Sequence, residues 1–417
     1  MEFTYIDVEK IAKIIDVIVG NKKNNSQLVL NIDNNKVKFI VITKNFKLAK
    51  EIRFNKQINK EMCIEINAKQ FTKTMEKFIG NKQSYATIVN FDIADDKLII
   101  YGNKHSDEID IEEMGYRVTE SLRFELDYNT VEFNEELDIP CRIHGSDEWN
   151  TEEFVRVVNL GAFNSGNLYI SGTKHTAFKA ENNSITEIPI DQYIGQNTVI
   201  SKSITDKLKK ILSRDGSEKY YINSTKNKIN IQNWDKTFKI EVKHCKAVME
   251  ELTMYNNYTG IDYDIINMNL IKHRVIDSIK QLMLSNGTEI VEIRLTKTED
   301  DEYKLTINDE NIDIYSAVVS NDIDDTEIRV YVDIKTIYKM IKQCDSDFIA
   351  LDITYLGEEP VDGIALRVSE LDLEKYELAY EETFNSISHF ELREFLNNDE
   401  HLKMRNRCLN RKCYTFF

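Results

Sequence analysis

The chain repeats one local layout three times, at spacings of roughly 130 residues, and this repeat limits the possible folds more than any other feature. The clearest copy is Ile66–Gly80, INAKQFTKTMEKFIG: a short β-like run, a small polar residue, then a helix with Phe71, Met75, Phe78 and Ile79 on one face. The layout returns at Thr198–Leu212, TVISKSITDKLKKIL, where Ile204, Leu208, Ile211 and Leu212 form the apolar face. It returns again at Arg329–Lys342, RVYVDIKTIYKMIK, with Ile334, Ile337 and Ile341. A period of domain size means repeated domains, not the short units of a solenoid.

The flanks repeat as well. Before each such helix lies another amphipathic helical pattern and then strands: Val8–Val19 with QLVLNID and KVKFIVIT, Thr151–Val158 with NLYIS and HTAFKA, Leu270–Leu284 with IVEIRLT and YKLTIND. Asn150 and Glu153 stand where a capping box would start the middle one. Alternating runs follow each template helix, among them TIVNFDI with KLIIYG and KYYINST with NKINIQNW, the period of half-buried strands. The expected fold class is therefore α+β: three domains, each with antiparallel sheets and two helices over one sheet face. Their expected bounds are 1–125, 126–256 and 257–384, with 385–417 as a C-terminal extension.

Charge is segregated along this repeat. The chain carries a formal net charge of −17, yet the template helices, taken as 66–82, 203–214 and 333–344, hold eleven lysines and arginines against three acids. That leaves −25 for the remainder. The basic residues are Lys69, Lys73, Lys77, Lys82, Lys207, Lys209, Lys210, Arg214, Lys335, Lys339 and Lys342, to which the first helices add Lys10, Lys13, Arg156, Lys272, Arg274 and Lys280. On one helix such lysines merely solvate an exposed face. Recurring in three domains on an acidic background, they predict a positive lining inside a negative shell. A lining of lysines without a base-reading motif suits the phosphate backbone of double-stranded DNA, bound without sequence preference and more weakly as salt rises.

Other classes find less support. No glycine-rich phosphate loop, G-x-S-x-G elbow or H-E-x-x-H motif occurs. The acidic runs TEDDEY and NDIDDTE could hold magnesium for a nuclease, but both fall in expected turns, where solvated loops are the plainer reading. His401, Cys408 and Cys413 match no zinc spacing, so neither metal nor cofactor is expected. Six widely spread cysteines read as free thiols in a reducing compartment. No run of 18 apolar residues suggests a membrane span, and the start MEFTYIDVEK lacks the layout of a signal peptide, so a cytoplasmic protein is expected.

Over residues 1–384 the chain resembles the bacterial DNA polymerase sliding clamps, the processivity-factor beta subunits, through its opening MEFT, its three domains and the junctions INAKQFTKTMEKFI and ISKSITDKLKKIL. The resemblance implies a closed ring of six similar domains, built head to tail by a homodimer, with pore helices facing DNA. It implies a DNA polymerase and a clamp loader as partners, a cytoplasmic place at the nucleoid or a viral replication site, and no catalytic group. The low similarity suggests a divergent member, as from a phage. The DNA-facing set would be Lys10, Lys13, Lys69, Lys73, Lys77, Arg156, Lys207, Lys210, Arg214, Lys272, Lys280, Lys335, Lys339 and Lys342.

In that family partner peptides enter an apolar pocket between the second and third domains. Its turn would here be SGTKHTAF, with Lys174, His175, Thr176 and Ala177 in place of a Gly-His-Arg-Leu-like sequence. Its far wall would come from YELAY, through Leu378 and Tyr380. The basic, aromatic end HLKMRNRCLNRKCYTFF leaves three readings open: contact with DNA, docking on a pocket of the ring, or disorder. The alternatives to a replication clamp are an interaction scaffold of the same fold, a clamp that serves transcription, and a metal-dependent nuclease.

Overall fold

The computed structural model describes the chain outside residues 21–25, 55–60, 79–83, 87, 95, 111–114, 133–146, 161–165, 182–183, 193, 259–263, 286–288, 298–302, 308–309, 313, 320–326, 356–363, 376–408 and 417. Its helices among the described residues are α1 (Tyr5–Val19), α2 (Ala68–Glu76), α3 (Thr151–Val158), α4 (Lys202–Asp215), α5 (Met249–Tyr258), α6 (Lys272–Ser285) and α7 (Ile334–Gln343). The architecture is α+β with antiparallel sheets, as the sequence predicts.

The small polar residue at each strand-to-helix junction is an N-cap. Asn67 Oδ1 accepts from the Gln70 N–H at 3.0 Å, and Asp333 Oδ1 from the Thr336 N–H at 2.7 Å. Ser201 holds the same place before α4, though its side chain makes no capping bond. Such caps contribute about 1 kcal/mol each and fix where a helix starts. They also set the register of the three copies, so that Lys73, Lys207 and Lys339 are equivalent. Asn150 caps α3 through the Glu152 N–H at 2.9 Å, and the Glu153 carboxylate accepts from Gln192 Nε2 at 2.6 Å.

Compactness divides the chain into two units, and the division cuts the middle repeat. The first unit comprises Met1–Asn159, Ile170–Lys174 and Gln192–Cys245; the second comprises Leu160–Tyr169, His175–Asp191 and Lys246–Phe417. In the first unit, α1 turns Val8, Ile11, Ile15 and Ile18 inward, and Phe3, Phe39, Phe71 and Phe91 meet edge-on or tilted at centroid distances of 4.8–6.5 Å. In the second, α6 and α7 bury Val275, Ile279, Ile337, Met340 and Ile341 against strand residues such as Val291, Ile293, Leu351 and Val368.

The reason for the division lies in the sheets. In the first unit Phe46–Arg53, the fourth strand of the first repeat, pairs antiparallel with Phe238–Lys243, the last strand of the middle repeat. In the second unit Ser184–Pro189, the fourth strand of the middle repeat, pairs antiparallel with Leu409–Phe416. The first and middle repeats thus each take up the last strand of the next to complete a sheet. Lys50 reinforces the first junction: its Nζ lies 3.1 Å from Asp215 Oδ1 and 3.1 Å from Thr237 Oγ1. Asp215 Oδ2 also accepts from Ser217 Oγ at 2.5 Å and from the Tyr220 hydroxyl at 3.0 Å. Burial, and then the neighbouring carboxylate, push the Tyr220 phenol above its ordinary range, so it stays protonated and donates.

The C-terminal stretch departs from expectation. Residues 409–416, assigned from sequence to an extension beyond the third domain, form a strand between Ser184–Pro189 and Ile364–Leu371, antiparallel to both. They take the place in the third repeat that Phe238–Lys243 takes in the middle one.

Candidate nucleic-acid interface

The apolar stripe that buries each of these helices leaves its opposite face to solvent, and most of the expected cations stand there. Lys10 and Lys13 of α1, Lys73 of α2, Lys77 just after it, Lys210 of α4, Lys280 of α6, and Lys335, Lys339 and Lys342 of α7 are exposed. Lys69 and Arg156 are half-buried. Four carry local partners: Lys13 pairs with Glu9 at 2.7 Å, Lys280 lies 3.7 Å from Asp277, Lys77 Nζ sits 4.7 Å above the Phe124 ring and Lys342 Nζ 5.8 Å above the Tyr338 ring.

Three other residues of the expected set turn to the protein itself. Lys207 Nζ donates to the Ile18 carbonyl at 2.9 Å, Arg214 donates to the Lys13 carbonyl, and Lys272 donates to the Cys344 carbonyl. Helix α1 has no basic residue in its last turn, so Lys207 supplies the positive charge that its C-terminal carbonyls favour. Replacing it as Lys207→Met is expected to cost about 1–2 kcal/mol of stability. The loss would be read by urea denaturation, with no change in the salt dependence of DNA binding.

The charge is less evenly spread than the sequence suggests. Helix α1 carries Asp7, Glu9 and Asp16 against Lys10 and Lys13, and α3 carries Glu152 and Glu153 against Arg156. Both are slightly acidic. The positive face belongs to α2, α4, α6 and α7, and α7 has three lysines and no acid in its span.

At the expected partner turn, Lys174 and His175 are exposed, Thr176 is half-buried and Ala177 is buried. The Lys174 N–H donates to Ser171 Oγ at 3.0 Å, and His175 holds a left-handed φ of 51°. Leu378 and Tyr380 lie outside the described residues. Sequence reasoning missed what stands beside this turn. Tyr255 of α5 stacks on Phe178 at 3.6 Å between centroids, and Phe178 stacks on Tyr169 at 4.8 Å. The Tyr255 hydroxyl donates to Glu187 at 3.1 Å and the Tyr169 hydroxyl to Glu251 at 2.5 Å. Burial first, and the bond to Glu251 next, push the Tyr169 phenol up to about 12. The three aromatics were visible in the sequence, but nothing in their spacing brings them together.

Among the described residues no group of three His, Cys, Asp or Glu side chains could hold a metal ion, and no helix is long and apolar enough to cross a membrane. Most of TEDDEY and NDIDDTE lies outside the described residues.

No protein-family model and no curated protein sequence matches the chain. Solved structures do. The DNA polymerase III beta subunit of Thermotoga maritima superposes with a TM-score of 0.61 at 10% identity, over 89% of this chain and 95% of that one. The beta subunit of Pseudomonas aeruginosa gives 0.61 at 11%, over 89% and 96%. The Helicobacter pylori beta clamp gives 0.59 at 13%, over 100% and 98%. Three repeats joined by borrowed strands, with helices on one sheet face, are thus the fold of the bacterial DNA polymerase III beta-subunit sliding clamps, carried by a sequence far removed from theirs.

Proposed function

We propose that two copies of this chain join head to tail in a ring around duplex DNA and tether a DNA polymerase as a processivity clamp. The exposed lysines of α2, α4, α6 and α7 would touch phosphate without reading sequence. Such a role needs no catalytic group, because topological linkage retains the ring even where each contact is weak. A clamp loader is the partner such a ring calls for. The location would be cytoplasmic, at the nucleoid or, for a phage protein, at the site of viral replication. Late transcription would use the same geometry.

The observation that carries the proposal is a pair of sheet edges that no strand joins among the described residues. Two repeats have the fourth strand joined by the last strand of the next repeat. The equivalent strand of the third repeat, Glu310–Ile312, is the outer member of a four-stranded sheet, with Tyr303–Ile307 on one side. The last strand of the first repeat, Gly115–Thr130, pairs with Lys97–Asp110 over residues 115–127 and has no second strand there among the described residues. The rule followed twice within the chain is completed by a second copy, and completing it at both ends closes a ring of six repeats.

The helices support the same joint. Helix α1 lays its last turn against α4 of the next repeat, through Lys207 and Ile18. Helix α6, its counterpart in the third repeat, leaves Leu284 88% and Met283 39% exposed at that turn. Leu284→Asp is therefore expected to weaken self-association about a hundredfold or more, because the joint would bury an unpaired carboxylate. Sedimentation equilibrium should give twice the chain mass for the parent and an association constant lower by that factor for the variant. The functional test is retention on circular duplex DNA through a high-salt wash and release when the DNA is cut. A parent chain that remains single in the presence of DNA and loader would remove the ring, and equal retention on cut and circular DNA would remove encirclement.

A further inference from the structure

The three last strands of the repeats are tied to their preceding strands very unequally. Lys97–Asp110 and Gly115–Thr130 are joined by residues 111–114, and Lys228–Asn233 and Phe238–Lys243 by residues 234–237, four residues in each case. Ile364–Leu371 and Leu409–Phe416 are joined by residues 372–408, which is thirty-seven. The entropy lost on closing a loop grows with the number of residues in it, so the longest of the three connections holds its strand at the lowest effective concentration. A connection of that many residues can reach up to about 120 Å when extended.

The place itself is a slot with two edges. On one side Thr415, Tyr414, Cys413 and Lys412 stand in register with Ser184, Ile185, Thr186 and Glu187. On the other, Phe416, Thr415, Tyr414, Cys413 and Lys412 stand in register with Ala365, Leu366, Arg367, Val368 and Ser369. Without the strand both edges would present unpaired backbone N–H and C=O groups, the template that captures another extended chain.

We propose that Leu409–Phe416 is an exchangeable strand, and that the slot it leaves accepts the same strand from a second copy of this chain. Recognition is by antiparallel ladder on both sides, so an identical strand enters in the identical register at no cost in complementarity. The chain then has one fixed seam, where Phe238–Lys243 is held by a four-residue turn, and one seam that opens. The inference stands apart from DNA encirclement and from the joint proposed at α6.

The test uses the full-length chain and a fluorescent peptide of residues 409–417. The peptide should bind saturably, be displaced by its unlabelled form, and fail to bind when it carries Cys413→Pro, which removes a ladder donor. Hydrogen exchange should be at least tenfold faster in 409–416 than in 238–243. Tagged and untagged full-length chains carrying Leu284→Asp, which disables the α6 joint, should still co-purify after mixing, and free peptide should reduce this. Protection of 409–416 equal to that of 238–243 with no peptide uptake overturns the proposal. So does equal binding of the proline peptide, and so does the absence of mixed pairs in the Leu284→Asp background.

Discussion

Changing Lys210, Lys335 and Lys339 together to glutamine is expected to weaken DNA binding by roughly tenfold to a hundredfold, at about 0.5–1 kcal/mol for each solvent-exposed lysine–phosphate attraction removed. The three are solvent-facing on α4 and α7. Lys73 is best left native, since its equivalent Lys207 contacts the helix of a neighbouring repeat. The signature matters more than the size of the effect: the plot of log affinity against log salt should flatten by about 0.9 for every phosphate no longer neutralised. Thermal unfolding and assembly mass should be unchanged, because no helix cap or buried face is touched. An unaltered salt slope would assign these lysines to solvation and leave the fold as a protein-binding scaffold.

The second large effect belongs to stability. Asp352 is fully buried, and its Oδ2 accepts from Arg367 Nε at 2.9 Å and Nη2 at 2.8 Å, the two residues being directly opposite on neighbouring strands. Arg367→Met should destabilise the chain by about 3–5 kcal/mol, because it leaves a carboxylate in the interior without its cation. The double variant Asp352→Asn with Arg367→Met should recover most of that loss, since the penalty comes from the unpaired charge. Urea denaturation followed by circular dichroism separates the two. A single variant as stable as the parent would mean that the carboxylate does not depend on the arginine.

The threefold repeat was legible in the sequence because copies start with a capping residue and an apolar stripe: Asn67 with Phe71 and Met75, Asp333 with Ile337 and Ile341. Both are local signals that a reader of one sequence can follow. The pairing of Phe46–Arg53 with Phe238–Lys243 was not, since hydrophobic alternation tells a strand which face is buried and not which distant edge it will join. Helix α5 escaped notice because MEELTMYNNY has no apolar stripe; Tyr255 holds it by a ring stack and a bond to Glu187. The strand 409–416 escaped because LNRKCYTF does not alternate, and it falls in register with buried polar residues such as Thr186, Arg367 and Ser369. Lys207 and Arg214 were read as cations for a ligand, and only the packing of α4 on α1 shows them serving helix carbonyls.

The borrowed strand also governs how the chain must be made. Lys50 and Thr237 are hydrogen-bonded across the first junction but stand 187 residues apart in the chain. At ~5–20 residues per second, a ribosome needs roughly 10–40 s to deliver the second after the first. Through that interval Phe46–Arg53 waits as an open edge on a nascent chain, where a hydrophobic strand would recruit neighbours. Its own residues Lys47, Lys50, Glu51 and Arg53 place charge along that edge, the means by which natural sheets discourage such pairing. The same charges that later fix the joint would thus protect it during synthesis.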